Sequence, residues 1–202
     1  MELSETQPPV YDTSVPRDRG VVHVKITRQP VWRVRVHNPT CNDPVVLLHA
    51  QALLASTPEG ATDFIEADMR DPEKILGKAA ETLDFGQPVA VQLLGILHFL
   101  AADEEAARIV RMLTEAVPAG SYLAICHLTA DIYPEMSELA HRVNERQPNA
   151  PLVLRDHAQV TSLFDGLELV PPGVVQASKW RPDSELEAAA PAALWAGVAR
   201  KS

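Results

Sequence analysis

Cysteine is nearly absent: Cys41 and Cys126 are the only two in 202 residues. That excludes a disulfide framework and fits a reducing compartment, so the expected location is the cytoplasm. Glycine is scarce as well. Gly20 is the only one between residues 1 and 59, which leaves that stretch without a glycine-rich loop. No run of about 18 apolar residues occurs, so no membrane-spanning helix is expected. The seven histidines and two cysteines show no metal-ligand spacing. Positive charge is short: 18 Lys and Arg stand against 27 Asp and Glu, a net charge of −9. Without a basic field to neutralise phosphates, nucleic acid is not an expected partner. The deficit is uneven. Residues 1–36 hold six basic and four acidic side chains, a net of 6 − 4 = +2, and the remainder carries −9 − 2 = −11.

What is present reads as one α/β domain. Residues 1–20 are polar and Pro-rich and predict a flexible arm. VVHVKITRQPVWRVRV, residues 21–36, alternates apolar with basic residues and breaks at Gln29-Pro30. This predicts two short strands, each with one solvated face. Two Asp-Pro steps then each predict a helix start, with the Asp as cap and the Pro in the first turn, at Asp43-Pro44 and at Asp71-Pro72. Short strands are expected at 64–67, 88–97 and 121–128, and again at 167–170 and 194–199. Helices are expected at 103–117, 134–147 and 156–164. PVAVQLLGIL, residues 88–97, is almost continuously apolar, the pattern of a strand covered on both faces. The alternation of strand and helix predicts a doubly wound sheet.

In such sheets a ligand lies at the carboxyl ends of the strands. The candidate positions are therefore 40–43, 67–70, 95–99 and 127–131. An acid at a strand end accepts from a ribose hydroxyl or a purine amino group, which no apolar residue can do. Asp43 and Asp71 have helix-capping duties, and Asp68 has none. Cys126 and His127 are sequence neighbours, so on a strand they point to opposite sides and do not form a thiolate–imidazole pair. No residue cluster marks a catalytic base.

The stretches NDPVVLLHAQALL, GATDFIEADMRDPEKIL, LHFLAADEEAARIV, VPAGSYLAICHLTAD, FDGLELVPPGVV, KWRPD and LWAGVARK, with YDTSVP near the start, resemble a bacterial S-adenosylmethionine-dependent methyltransferase family formerly catalogued as a domain of unknown function. The resemblance covers roughly residues 38–202 and the piece at 11–16. It implies the Rossmann-like class I methyltransferase sheet, mostly parallel with an antiparallel C-terminal strand, here N-terminally shortened. It makes 21–202 a single domain in which 21–40 is atypical. The implied cofactor is S-adenosyl-L-methionine and the implied partner a small-molecule methyl acceptor. The implied cofactor contacts are Asp43, Asp68, Met69, Gly95 and His98, with Asp68 and Met69 at the adenine. Gly95 and His98 fall beside the methionine and the acceptor, and His127 near the acceptor pocket.

Two departures from the family pattern support a second reading. The family's first strand ends in an Asp-Ile-Gly-Thr-Gly type loop, and nothing of that kind follows YDTSVP here. Cys41 stands where the family has a ribose-binding Asp, and a thiol is a poor acceptor by comparison. A methyltransferase and a degenerate, non-catalytic relative are therefore both open.

Overall fold

The computed structural model describes residues 21–27, 32–37, 62–146 and 151–202, with the backbone alone for 21–27, 32–37, 62–64 and 66. The expected arm at 1–20, Cys41, Asp43 and the first Asp-Pro helix lie outside the described residues.

The strands are β1 (Val21–Thr27), β2 (Trp32–His37), β3 (Thr62–Asp68), β4 (Val89–Leu94), β5 (Tyr122–Leu128), β6 (Glu168–Leu169), β7 (Val175–Gln176) and β8 (Leu194–Arg200). They form one sheet in the order β3-β1-β2-β4-β5-β8-β6, with β7 also on β8. β2, β4 and β5 pair in parallel, whereas β1 is antiparallel to both β2 and β3. β8 is antiparallel to β5, β6 and β7. Among the described residues, six of the eight strands thus share one direction, and β1 and β8 oppose them. The antiparallel C-terminal strand is as the resemblance implies. The reversed β1, wedged between β3 and β2, is not in that pattern.

The second Asp-Pro step works as expected. The Asp71 side chain accepts from the Lys74 backbone N–H, and Pro72 opens helix α1 (Pro72–Ala79), where its missing N–H costs nothing. The other described helices are α2 (Asp103–Glu115), α3 (Met136–Arg146), α4 (His157–Ser162) and α5 (Glu185–Ala188). α4 starts on a capping box, in which Asp156 and Gln159 each satisfy the other's backbone N–H. Lys201 closes the far end of α2, donating to the carbonyls of Thr114, Glu115 and Val117.

The core lies on one face of the sheet. Val89, Val91 and Leu93 of β4 pack there with Leu123 and Ile125 of β5, Ile75 of α1, Ile109 and Leu113 of α2, and Val160 of α4. The opposite face of β4 is only half covered, and Leu94 is exposed. The apolar run at 88–97 therefore differs from a strand covered on both faces. Its alternate positions carry Ala90 and Gln92, which give little to bury. The run also ends early as a strand, turning at Gly95 into a short 3-10 turn at Leu97–Phe99. No described helix is long and apolar enough to cross a membrane.

Candidate functional site

Parallel strands deliver their carboxyl ends to one rim, and three of the four candidate stretches are described there. At the end of β3, Asp68 is half-exposed. Its Oδ1 accepts from the Arg70 N–H at 2.8 Å, and its carbonyl accepts from the Asp71 N–H at 3.0 Å. Asp68 thus holds a local turn, a task the sequence did not reveal. Its Oδ2 makes no hydrogen bond to any described residue. Met69 is 4% exposed and belongs to the core cluster.

At the end of β4, Gly95 has φ +70°, a left-handed conformation that glycine adopts without strain. Its N–H donates to the Cys126 carbonyl at 3.0 Å, which ties the β4 end to β5. A Cβ at this position would lie 3.7 Å from the His98 ring. The left-handed turn lets the chain fold back so that His98, 7% exposed, enters the protein beside Phe99 and His127. The Nδ1 of His98 is buried with no hydrogen-bond partner. Burial, reinforced by the nearby His127 and Arg155, pulls His98 down to about 3, so it is neutral at ordinary pH.

At the end of β5, His127 is fully buried. Its Nδ1 lies 2.8 Å from the Leu128 carbonyl, and its Nε2 lies 2.8 Å from Arg155 Nη1. Burial pulls His127 down to about 4, against the opposing effect of the Leu128 carbonyl. Cys126 faces the other way, as strand alternation requires, and burial pushes its thiol up to about 11. Such a thiol is un-ionised and no nucleophile. Beyond the strand, Asp131 Oδ2 accepts from the indole N–H of Trp195 at 2.9 Å and from the His157 backbone N–H at 2.8 Å. Asp131 thereby joins β8 and α4 to the rim.

The sequence missed Arg155. Its side chain is 0% exposed. All five of its N–H groups have acceptors: Asp103 Oδ1, His127 Nε2, and the carbonyls of Leu97, Leu100 and Ala102. Partial burial pushes the Asp103 carboxyl up, but hydrogen bonds from Arg155 and Gln159 more than offset this and leave it below its ordinary value. The only sequence signal was position, since Arg155 immediately precedes the Asp156 cap.

With strands about 4.8 Å apart, β3 and β4, three steps apart in the order, place Asp68 and Gly95 about 14 Å apart along the rim, and β5 adds one step more. Among the described residues no group of His, Cys, Asp and Glu is arranged to hold a metal ion.

The sheet from β2 to β6, with the antiparallel β8 between β5 and β6 and polar groups at the parallel-strand ends, has the Rossmann-like architecture of methyltransferases, from which the reversed β1 departs. The chain belongs to the S-adenosyl methyltransferase family, which matches residues 12–202. It is similar to a DUF574-family protein from Streptomyces avermitilis, at 45% identity and TM-score 0.73, over 80% of this chain and 63% of that one. It is also similar to a putative methyltransferase from Thermobifida fusca, at 34% identity and TM-score 0.68, over 79% and 60%. An O-methyltransferase family protein from Burkholderia thailandensis, at 16% identity and TM-score 0.51 over 81% and 42%, shares the fold. The chain spans less than two thirds of the length of the first two relatives. No curated protein matches it.

Proposed function

We propose that the chain binds S-adenosyl-L-methionine along the carboxyl rim and transfers its methyl group to a small-molecule acceptor. The observation that carries this reading is the polar series at the strand ends: the unoccupied acceptor oxygen of Asp68 on β3, then Gly95 and His98 on β4. The residues fit the donor. A purine amino group needs an acceptor, and Asp68 Oδ2 has no other partner among the described residues. Gly95 lacks a side chain where the chain turns most sharply, which leaves room for close approach to its backbone. His98 has a ring nitrogen without a partner beside that turn. When bound, the donor supplies an already activated sulfonium methyl, so alignment does much of the work. The chain's own task is then to hold the purine through Asp68 and to position the acceptor against the β4 and β5 ends. With folded-state values of about 3 and about 4, His98 and His127 act as neutral hydrogen-bonding groups rather than strong bases. Asp43 and Met69 stay part of the reading through the family resemblance alone.

A non-catalytic relative is the second reading, and the reversed β1 favours it. A strand running against its neighbours carries its own carboxyl end to the opposite rim, so that position offers the ligand no strand-end loop. Calorimetric titration with S-adenosylhomocysteine separates the two. Saturable one-to-one binding supports the methyltransferase, and no heat at protein concentrations of about 100 μM, the level that detects even weak cofactor sites, supports the relative.

A further inference from the structure

Arg155 raises a question that the cofactor rim does not answer. A buried guanidinium is costly unless every donor is met, and this one is met by five acceptors. Its Nη2 donates to the carbonyls of Leu100 at 3.0 Å and Ala102 at 3.5 Å. Its Nη1 donates to Leu97 at 3.0 Å and to His127 at 2.8 Å, and its Nε to Asp103 at 2.8 Å. The three carbonyls belong to the segment that directly follows Gly95 and carries His98. Arg155 is also fixed through its own backbone, whose N–H donates to the Leu128 carbonyl at 3.2 Å. The result is a rigid strut between the β4 turn and the end of β5.

The strut also decides the state of His127. A guanidinium only donates, so the Nε2 of His127 must offer a lone pair, and its proton sits on Nδ1, facing the Leu128 carbonyl. The charged and titratable groups around the two imidazoles are few among the described residues. His98 meets His127 from β5 and Arg155 from the segment before α4, and His127 meets His98, Arg155 and Asp103 from the start of α2. The half-exposed Asp103 is the one anion, and Arg155 and Gln159 already occupy its two oxygens.

We infer that Arg155 is a positioning residue for the β4 end of the site: it sets the Gly95–His98 turn and fixes His127 as an uncharged hydrogen-bond acceptor. This rests on the cofactor reading above. Its consequence is a cofactor affinity that does not follow histidine protonation. If Arg155 is replaced by Met, the Leu97, Leu100 and Ala102 carbonyls lose their donor, Asp103 loses its counter-charge, and the Nε2 of His127 is free to take up a proton.

The test measures S-adenosylhomocysteine binding by calorimetry at about pH 7 and about pH 5, either side of the ordinary histidine value, on the parent, Arg155→Lys and Arg155→Met. Nitrogen-15 spectra of the imidazoles are recorded in the same samples. The parent should keep one affinity and an Nδ1–H tautomer at His127 throughout. In Arg155→Met, His127 should appear as imidazolium at the lower pH, and binding should weaken about tenfold at both pH values as the turn loses its strut. Arg155→Lys keeps a charge but loses the planar fork, so it should leave His127 neutral and restore only part of the affinity. Three results overturn the inference alone: an Nε2–H tautomer in the parent, an imidazolium in the parent at the lower pH, or a folded Arg155→Met variant whose affinity and spectra follow the parent. The parent results decide even where a variant fails to fold. A parent that does not bind overturns the cofactor reading, and the inference with it.

Discussion

Arg155 Nη1 lies 2.8 Å from His127 Nε2, and neither side chain reaches water. A third group, His98, packs edge-on against His127 with ring centroids 5.9 Å apart. The two imidazoles are held neutral, at about 3 and about 4. In the unfolded chain both return to the ordinary histidine value, so the unfolded state binds more protons as the pH falls. Stability should be full above about pH 6.5 and decline through pH 5 and 4, at up to about 1.4 kcal/mol per pH unit for each histidine. Urea unfolding at several pH values checks this, and a flat profile from about pH 7 to about pH 4.5, the window between these values, contradicts it.

Gly197 is packed where no side chain fits. A Cβ there would sit 3.0 Å from Phe164 Cζ and 3.0 Å from Val174 Cγ2, and both neighbours are buried. Gly197→Ala should cost about 1–3 kcal/mol through overpacking. The substitution lies away from the strand-end rim, so S-adenosylhomocysteine affinity should not change. An unfolding midpoint equal to that of the parent shows that β8 yields more easily than the packing implies.

The pairing of β1 with β2 sets Lys25 directly opposite Arg35. Both strands alternate apolar with polar or basic residues, a pattern that leaves one face of each with little to bury. The amides of β1 and β2 should therefore exchange with solvent faster than those of Val89–Leu94 in β4. Hydrogen exchange read by mass spectrometry on peptides from both regions tests it, and equal protection is the contrary result.

The sequence made the local devices legible and left the long-range ones hidden. Asp71 and Pro72 announce a helix start because the cap and the first turn are three residues apart, and α1 begins there. The run at 88–97 announces a central strand because it is almost continuously apolar, although the structure buries only every second residue of β4. Strand direction leaves no such trace, since the same alternation serves a parallel and an antiparallel strand, and so the reversal of β1 was not visible. β7 has two residues and too little sequence to show a period. Arg155 was hidden for another reason. Its five acceptors lie on residues 28 to 58 positions away, and a buried cation has no pattern of its own. The place of Asp68 at a strand end was legible, but its bond to the Arg70 N–H was not.

The central claim is that the carboxyl rim holds a purine nucleoside through Asp68. It is tested most directly by titrating S-adenosylhomocysteine into the parent, Asp68→Ala and Asp71→Ala. The parent should bind. Asp68→Ala should weaken binding by about 1.5–3 kcal/mol, the range for a hydrogen bond to a charged group, which is about one to two decades in Kd. Asp71→Ala should instead lose about 1 kcal/mol of stability with its helix cap and have the smaller effect on affinity. A parent that does not bind, or an Asp68→Ala variant that binds as tightly as the parent, contradicts the claim.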